Sequence, residues 1–401
     1  MELEIGKGKK GRRAYGFDDI AIVPSRRTRD PDDIDITWML GPYRFELPLL
    51  ASAMDGVVSP RTAGIIGKLG GLAVLNLEGL WTRYEDADAQ LERISKLPPQ
   101  QATREMQEIY REPIKPELVA QRISEIKAEG VVAAGSFTPQ RVRDHYELAL
   151  EAGLDVMVIQ GTVISAEHVS ASVEPLNLKE FIAELPVPCI VGGCASYSTG
   201  LHLMRTGAVG VLVGVGPGAA CTTRGVLGIG VPQATAIADV QAARSQHMLE
   251  TGQYVNVIAD GGMRNGGDIA KAFACGADAV MIGSPLARAH EAPGRGYHWG
   301  MATFHASLPR GARVATLQNG TLEEILLGPA YENDGTFNLF GALRTSMATC
   351  GYEDIPSFHR AEVMVAPALQ SEGKQLQHQQ HVGMGSNGKA QVAAAVNELD
   401  E

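Results

Sequence analysis

Val209-Gly-Val-Leu-Val-Gly-Val-Gly-Pro-Gly-Ala-Ala-Cys221 is an unbroken apolar run that empties into a glycine-rich loop. A run with no polar alternation, ended by turn residues, reads as a strand buried on both faces, as in a parallel sheet covered by helices. Seven more such runs punctuate the chain: Pro48–Met54, Leu72–Leu77, Val131–Ser136, Val156–Gly161, Cys189–Cys194, Val255–Asp260 and Ala279–Gly283. Each leads into a turn rich in Gly, Ser or Asp and then an amphipathic segment. Eight such units predict an α/β fold, a (β/α)8 TIM barrel; a doubly wound sheet is the alternative, and the count of eight decides between them.

The chain has 401 residues and 45% hydrophobic content, ample for a sizeable core. A net charge of -11 and a pI near 5.5 argue against nucleic acid as the main partner. Lys7–Arg13 is the one basic cluster, and residues 1–14 read as a solvated arm. No apolar core follows that cluster and no apolar run reaches spanning length, so neither a signal peptide nor a membrane helix is expected. Five cysteines without paired spacing fit a reducing cytoplasm.

Tyr15–Ser25 alternates polar and apolar residues and is expected to form a short strand capping a barrel end. The connection over residues 78–130 is too long for a plain crossover; its helical patterns, Arg83–Lys96 and Glu108–Gly130, flank a Pro98-Pro99 break. Beyond Gly283 the periodicity gives way to loops around Pro293–Gly300, Pro309–Gly311 and Asn319-Gly320, with a last helix at Asn338–Cys350. The polar stretch 374–401 reads as a flexible tail.

The chemistry concentrates where the sixth run ends. Glycines there let backbone N–H groups approach an anion and leave Cys221 presented rather than shielded. Thr222 and Thr223 offer hydroxyls that can relay a proton, and Arg224 adds charge that favours a thiolate. The competing reading of Cys221 is a buried core cysteine, which suits Cys189, Cys194, Cys275 and Cys350 better. At the seventh strand end Asp260 stands beside Gly261 and Gly262: a carboxylate able to accept two O–H bonds from a diol, with N–H groups for a phosphate, or else the N-cap of the next helix. At the eighth, Gly283 and Ser284 add an N–H and a hydroxyl.

The segment Gly214–Arg224, with Gly228-Ile-Gly-Val-Pro-Gln233 behind it, resembles the cysteine loop of the IMP dehydrogenase and GMP reductase family. The resemblance extends over Tyr15–Gly373, implying a single barrel domain over residues 15–373 in which 78–130 stands where dehydrogenases carry CBS domains. It departs at Ala219, where the family usually has a phosphate-holding serine, and at Leu212, where it has a basic residue.

The resemblance implies an NAD- or NADP-dependent oxidoreductase acting at C2 of a purine mononucleotide (IMP, GMP or XMP), in a cytoplasmic homotetramer. Cys221 would be the nucleophile and Thr223 the proton relay. Ser52, Met54, Asp260, Gly261, Gly262, Gly283, Ser284, Tyr297, Gly300 and Met301 would bind the nucleotide, with one residue inserted relative to the family's Tyr-x-Gly-Met segment. Gln160, Gly161 and Thr162 would meet the cofactor, Gln160 replacing the acid that relatives place on the nicotinamide ribose. Carbonyls of Gly216, Gly218 and Cys221, with Glu372 and Gly373, would hold potassium. No Arg-Tyr pair follows Met301 to activate a hydrolytic water, and Arg310 falls where relatives carry a Glu or Gln against the purine. This tilts the expectation toward GMP reduction, with IMP dehydrogenation as the alternative and an idle nucleotide sensor as a third reading.

Overall fold

The computed structural model describes residues 2–169, 175–300, 313–366, 374–380 and 382–383. Eight parallel strands close into a barrel in chain order: β1 (Leu49–Ala51), β2 (Leu72–Asn76), β3 (Ala134–Phe137), β4 (Val156–Gln160), β5 (Cys189–Cys194), β6 (Gly210–Val213), β7 (Asn256–Asp260) and β8 (Ala279–Ile282). β8 pairs back onto β1, Val280 opposite Leu49. Seven strands lie within the runs that predicted them, and β3 extends one residue beyond its run.

Two-residue periodicity explains why these runs are apolar throughout. Leu50, Val74, Ala134, Val156, Val158, Ile190, Leu212, Ile258 and Met281 pack together inside the barrel. Their neighbours, among them Ala51, Leu75, Met157, Ile159, Val211, Val257 and Ile282, join the outer core under the helices. The same parity carries Ser52, Gln160 and Asp260 toward the barrel mouth at the C-terminal strand ends.

From the Tyr15–Ser25 stretch, Gly16, Phe17 and Asp18 line the cleft at the barrel mouth, and the opposite end has a separate cap. A hairpin of Trp38–Leu40 and Tyr43–Phe45 sends Trp38, Leu40 and Phe45 into the inner cluster, and Trp38 Nε1 donates to the Leu47 carbonyl at 2.8 Å. Ile20–Ile22 does form a strand, but it pairs with Val363–Val365, and Phe17 and Ile20 pack in the outer core. Alternation within the 38–45 hairpin sends its large side chains into the barrel's end.

Around the barrel lie α1 (Pro60–Lys68), α2 (Ala87–Lys96), α3 (Pro99–Ile109), α4 (Pro116–Ala128), α5 (Val142–Glu151), α6 (Leu178–Glu184), α7 (Tyr197–Met204), α8 (Thr223–Leu227), α9 (Gln233–Thr251), α10 (Gly266–Ala274), α11 (Leu322–Leu327) and α12 (Leu339–Thr349). Helices α2 to α4 fill the long connection. The Pro98-Pro99 break is a start as well as a stop, because Pro99 sits in the first turn of α3, where its missing N–H costs nothing. Helix α12 is not the last, since Ile355–Phe358 and Lys374–Gln379 are also helical. The basic arm folds as an exposed hairpin, Glu2–Gly6 against Lys9–Arg12, with Arg12 paired to Asp239. Among the described residues no helix is long and apolar enough to cross a membrane.

Candidate active site

A cleft of about 1410 Å³ opens over the barrel mouth and is lined by every strand-end segment singled out from the sequence: Ser52 and Met54, Gln160–Thr162, Gly216–Arg224, Asp260–Gly262 and Gly283-Ser284. Cys221 is exposed on its loop, while Cys189, Cys194 and Cys350 are buried and Cys275 is partly so. Burial pushes the thiols of Cys194 and Cys275 up to about 12, which leaves them inert at neutral pH. Cys221 Sγ lies 3.2 Å from the hydroxyl of Thr223, which is buried at the start of α8.

The Cys221 N–H donates to the Gly218 carbonyl at 3.0 Å, folding the loop back on itself. Arg224 also holds the loop. Its guanidinium donates to the Val231 carbonyl at 2.6 Å and the Val215 carbonyl at 3.4 Å, so it straps the two ends of the loop together. Gln233 completes the strap, donating to the carbonyls of Val213 at 2.6 Å and Asp260 at 3.2 Å. Two strand ends are thereby locked in register beneath the cysteine.

Gln160 and Asp260 both point into the mouth from inward positions and meet there, Nε2 donating to Oδ2 at 3.2 Å. Burial raises Asp260 from the ordinary 3.8 to about 7, and the Gln160 bond only partly offsets it. Oε1 of Gln160 is buried without a hydrogen-bond partner. An orphan acceptor beside a desolvated carboxylate marks a place that a ligand's donors would complete. The N-cap reading of Asp260 does not hold, because Asn265 caps α10 by accepting from the Asp268 N–H. Asn265→Ala should accordingly cost about 0.5–2 kcal/mol of stability in denaturant melts, with nucleotide affinity unmoved.

The cleft wall beside Asp260 is built from backbone. Gly261 and Gly262 have φ of +77° and +82°, a left-handed conformation that lets this turn lie along the cleft wall. Gly283 sits under Met54, and a Cβ there would come 2.5 Å from the methionine sulfur. Ala219 lies exposed at the rim, so no hydroxyl reaches the cradle from it. Leu212 is wholly buried inside the barrel.

Around the segment Tyr297–Gly300 the structure departs from the sequence reading and adds groups to it. Tyr297 is not among the cleft's lining residues; its ring stacks under Arg313, 3.8 Å from the guanidinium carbon. Its neighbour His298 lines the cleft instead, bonded through Nε2 to Ser284 Oγ at 2.8 Å and through Nδ1 to Thr316 Oγ1 at 2.6 Å. Burial lowers His298 to about 4, so the ring is neutral. Below it Trp299 donates to Tyr110 at 2.6 Å, and Tyr110 donates to Asp55, whose carboxyl burial raises to about 6. Tyr110 follows α3, so the long connection is fastened to the loops after β1 and β8. His298 lies within the Tyr297–Met301 segment that the resemblance marks, and its antiparallel pairing with Val314 is what only the structure supplies. Gly300 lines the cleft; Met301, Arg310, Glu372 and Gly373 lie outside the described residues.

The model of the IMP dehydrogenase / GMP reductase domain matches residues 14–381. The chain belongs to that family. It is 47% identical to an uncharacterized oxidoreductase of Mycolicibacterium smegmatis, over 90% of this chain and 99% of the relative. An inosine-5'-monophosphate dehydrogenase of Cryptosporidium parvum is 31% identical over 72% of this chain and 70% of its own length. The crystal structure of an IMP dehydrogenase/GMP reductase-like protein from Corynebacterium glutamicum superposes with a TM-score of 0.87 at 45% identity, covering 91% of this chain and 98% of that one. The protein is therefore an oxidoreductase of a family whose substrates are purine mononucleotides. Its single barrel has helices α2 to α4 where a CBS insertion would stand.

Proposed function

We propose that this protein oxidises the purine C2 of IMP through a covalent bond to Cys221. The observation that carries the reading is the exposed Cys221 thiol, held 3.2 Å from Thr223 Oγ1 over the same cleft that Asp260 floors. Asp260 accepts the ribose hydroxyls, and the N–H groups of Gly261, Gly262 and Gly283, with the Ser284 hydroxyl, take the phosphate. Met54, which packs against Gly283, bounds the base. Anchored at both ends, the purine presents C2 to the sulfur. Thr223 Oγ1 receives the thiol proton as its own hydroxyl proton passes to the purine N3, which takes the electron pair of the C2=N3 bond as the S–C2 bond forms. After C2 gives up its hydride, a water oxygen bonds to C2 and one water proton leaves to solvent. The C2–S bond then breaks as the C2=O bond forms, the second water proton returns to the sulfur, and XMP is released with N3 protonated.

A cleft of about 1410 Å³ exceeds the roughly 300–1,000 Å³ of a pocket for one drug-sized ligand. It has room for a nicotinamide dinucleotide beside the mononucleotide, along Gln160, Gly161 and Thr162. When bound, that cofactor accepts the hydride from C2. A neutral Gln160 suits this wall, since a carboxylate 3.2 Å from Asp260 would repel it. Potassium would draw on the Gly216, Gly218 and Cys221 carbonyls; that of Gly218 keeps one lone pair after accepting the Cys221 N–H. We hold the assembly to be a homotetramer and its compartment the cytoplasm, as the sequence reading has it.

The direction rests on the relatives that carry a named activity. Those from Cryptosporidium parvum, Methanocaldococcus jannaschii and Haemophilus influenzae are inosine-5'-monophosphate dehydrogenases. The argument for GMP reduction turns on residues 301–312, which lie outside the described residues, and keeps the second place because Thr223 is the one hydroxyl bonded to the Cys221 sulfur among them. Purified protein given IMP and NAD should produce XMP and reduced cofactor steadily. Oxidation of NADPH with GMP, releasing ammonia, and no XMP from IMP would transfer the assignment to GMP reduction. An idle sensor would bind IMP and leave both cofactors untouched.

A further inference from the structure

We infer that Thr316 and His298 form a positioning relay that sets the Ser284 hydroxyl as a donor to the substrate's phosphate. The inference rests on the reading of this cleft as a mononucleotide site and adds two residues to it. Tyr297–His298 pairs with Val314–Ala315, and the Thr316 N–H continues that ladder to the Gly296 carbonyl at 2.8 Å. This fixes the Thr316 hydroxyl 2.6 Å from Nδ1 of His298, whose Nε2 lies 2.8 Å from Ser284 Oγ. All three side chains line the cleft.

A neutral imidazole has one donor nitrogen and one acceptor, so the chain of bonds has two directions. If Nδ1–H donates to Thr316, Nε2 must accept the Ser284 proton, and Ser284 turns only lone pairs toward the anion. If Thr316 donates into Nδ1, Nε2–H donates to Ser284, and the serine proton is free for a phosphate oxygen. Only the second direction suits an anionic ligand. A cationic imidazole would free the serine as well, but burial holds His298 neutral at physiological pH. Each bond in the series polarises the next, so the Thr316 hydroxyl strengthens a contact it does not itself make.

The test measures dissociation constants by calorimetry on the full chain, with IMP and with inosine, which lacks the phosphate. Thr316→Val should weaken IMP about tenfold, the worth of a hydrogen bond to a charged group, and leave inosine within about twofold. Thr316→Ser, which keeps the hydroxyl, should restore the wild-type value. In a Ser284→Ala background, Thr316→Val should have no further effect, because the group it orients is gone. Should the Val variant not fold, Thr316→Ala makes the same contrast with Thr316→Ser. The relay is overturned if the two substitutions add independently, or if inosine weakens as much as IMP. Wild-type protein that binds no purine mononucleotide would instead remove the site reading, and the relay with it.

Discussion

Cys221→Ala should abolish turnover, leaving less than a few per cent of wild-type rate, while IMP still binds. The two effects separate on the proposed reading, which takes the ribose and phosphate contacts from the ends of β7 and β8 and the bond to carbon from the loop after β6. The remaining cysteines cannot substitute. Cys189 and Cys194 are sealed within β5, and Cys275 follows α10, on the helical layer. Mass spectrometry of wild type quenched during turnover should find a purine adduct on the peptide containing Cys221 and on no other. A variant that kept substantial XMP formation would sink the covalent mechanism, whatever its affinity for nucleotide.

The barrel was legible because burial on both faces leaves a periodic trace in composition, and every strand carried it. Its cap was not, since Trp38, Leu40 and Phe45 sit in a hairpin too short to show alternation, and their value lies in filling a space that exists only once the barrel closes. The site divides the same way. Cys221, Asp260 and the glycines announce themselves through unusual local chemistry at strand ends. His298 and Thr316 are ordinary residues eighteen positions apart, made into a pair by an antiparallel bridge. Tyr110 and Asp55 meet across fifty-five positions. Arg224 shows the converse: its charge was visible, but its partners are backbone carbonyls whose approach depends on the fold of the loop.

Asp260→Asn keeps the shape of the carboxylate and removes its charge, so charge-assisted bonds to the ribose become neutral ones. The expected loss of IMP affinity is about 1.5–3 kcal/mol. The pH dependence is the sharper signature. In the free protein burial raises Asp260 to about 7 and Asp55 to about 6. Between about pH 4 and 7 the folded protein therefore keeps protons that the unfolded chain has released, and these two groups make stability fall as pH rises through that window. The Asn variant loses the Asp260 share, so its melting temperature should decline less between pH 5 and 8 than that of wild type. If ribose hydroxyls bond to Asp260 as proposed, they favour its ionised form, so IMP binding to wild type below pH 7 should expel a proton from Asp260 and tighten as pH rises. Calorimetry in buffers of different ionisation enthalpy reads that proton directly, and the Asn variant, which retains the titrating phosphate of the ligand, supplies the baseline to subtract. With Asn265 already serving as the cap of α10, an affinity unchanged by Asp260→Asn would leave the carboxylate no part in binding.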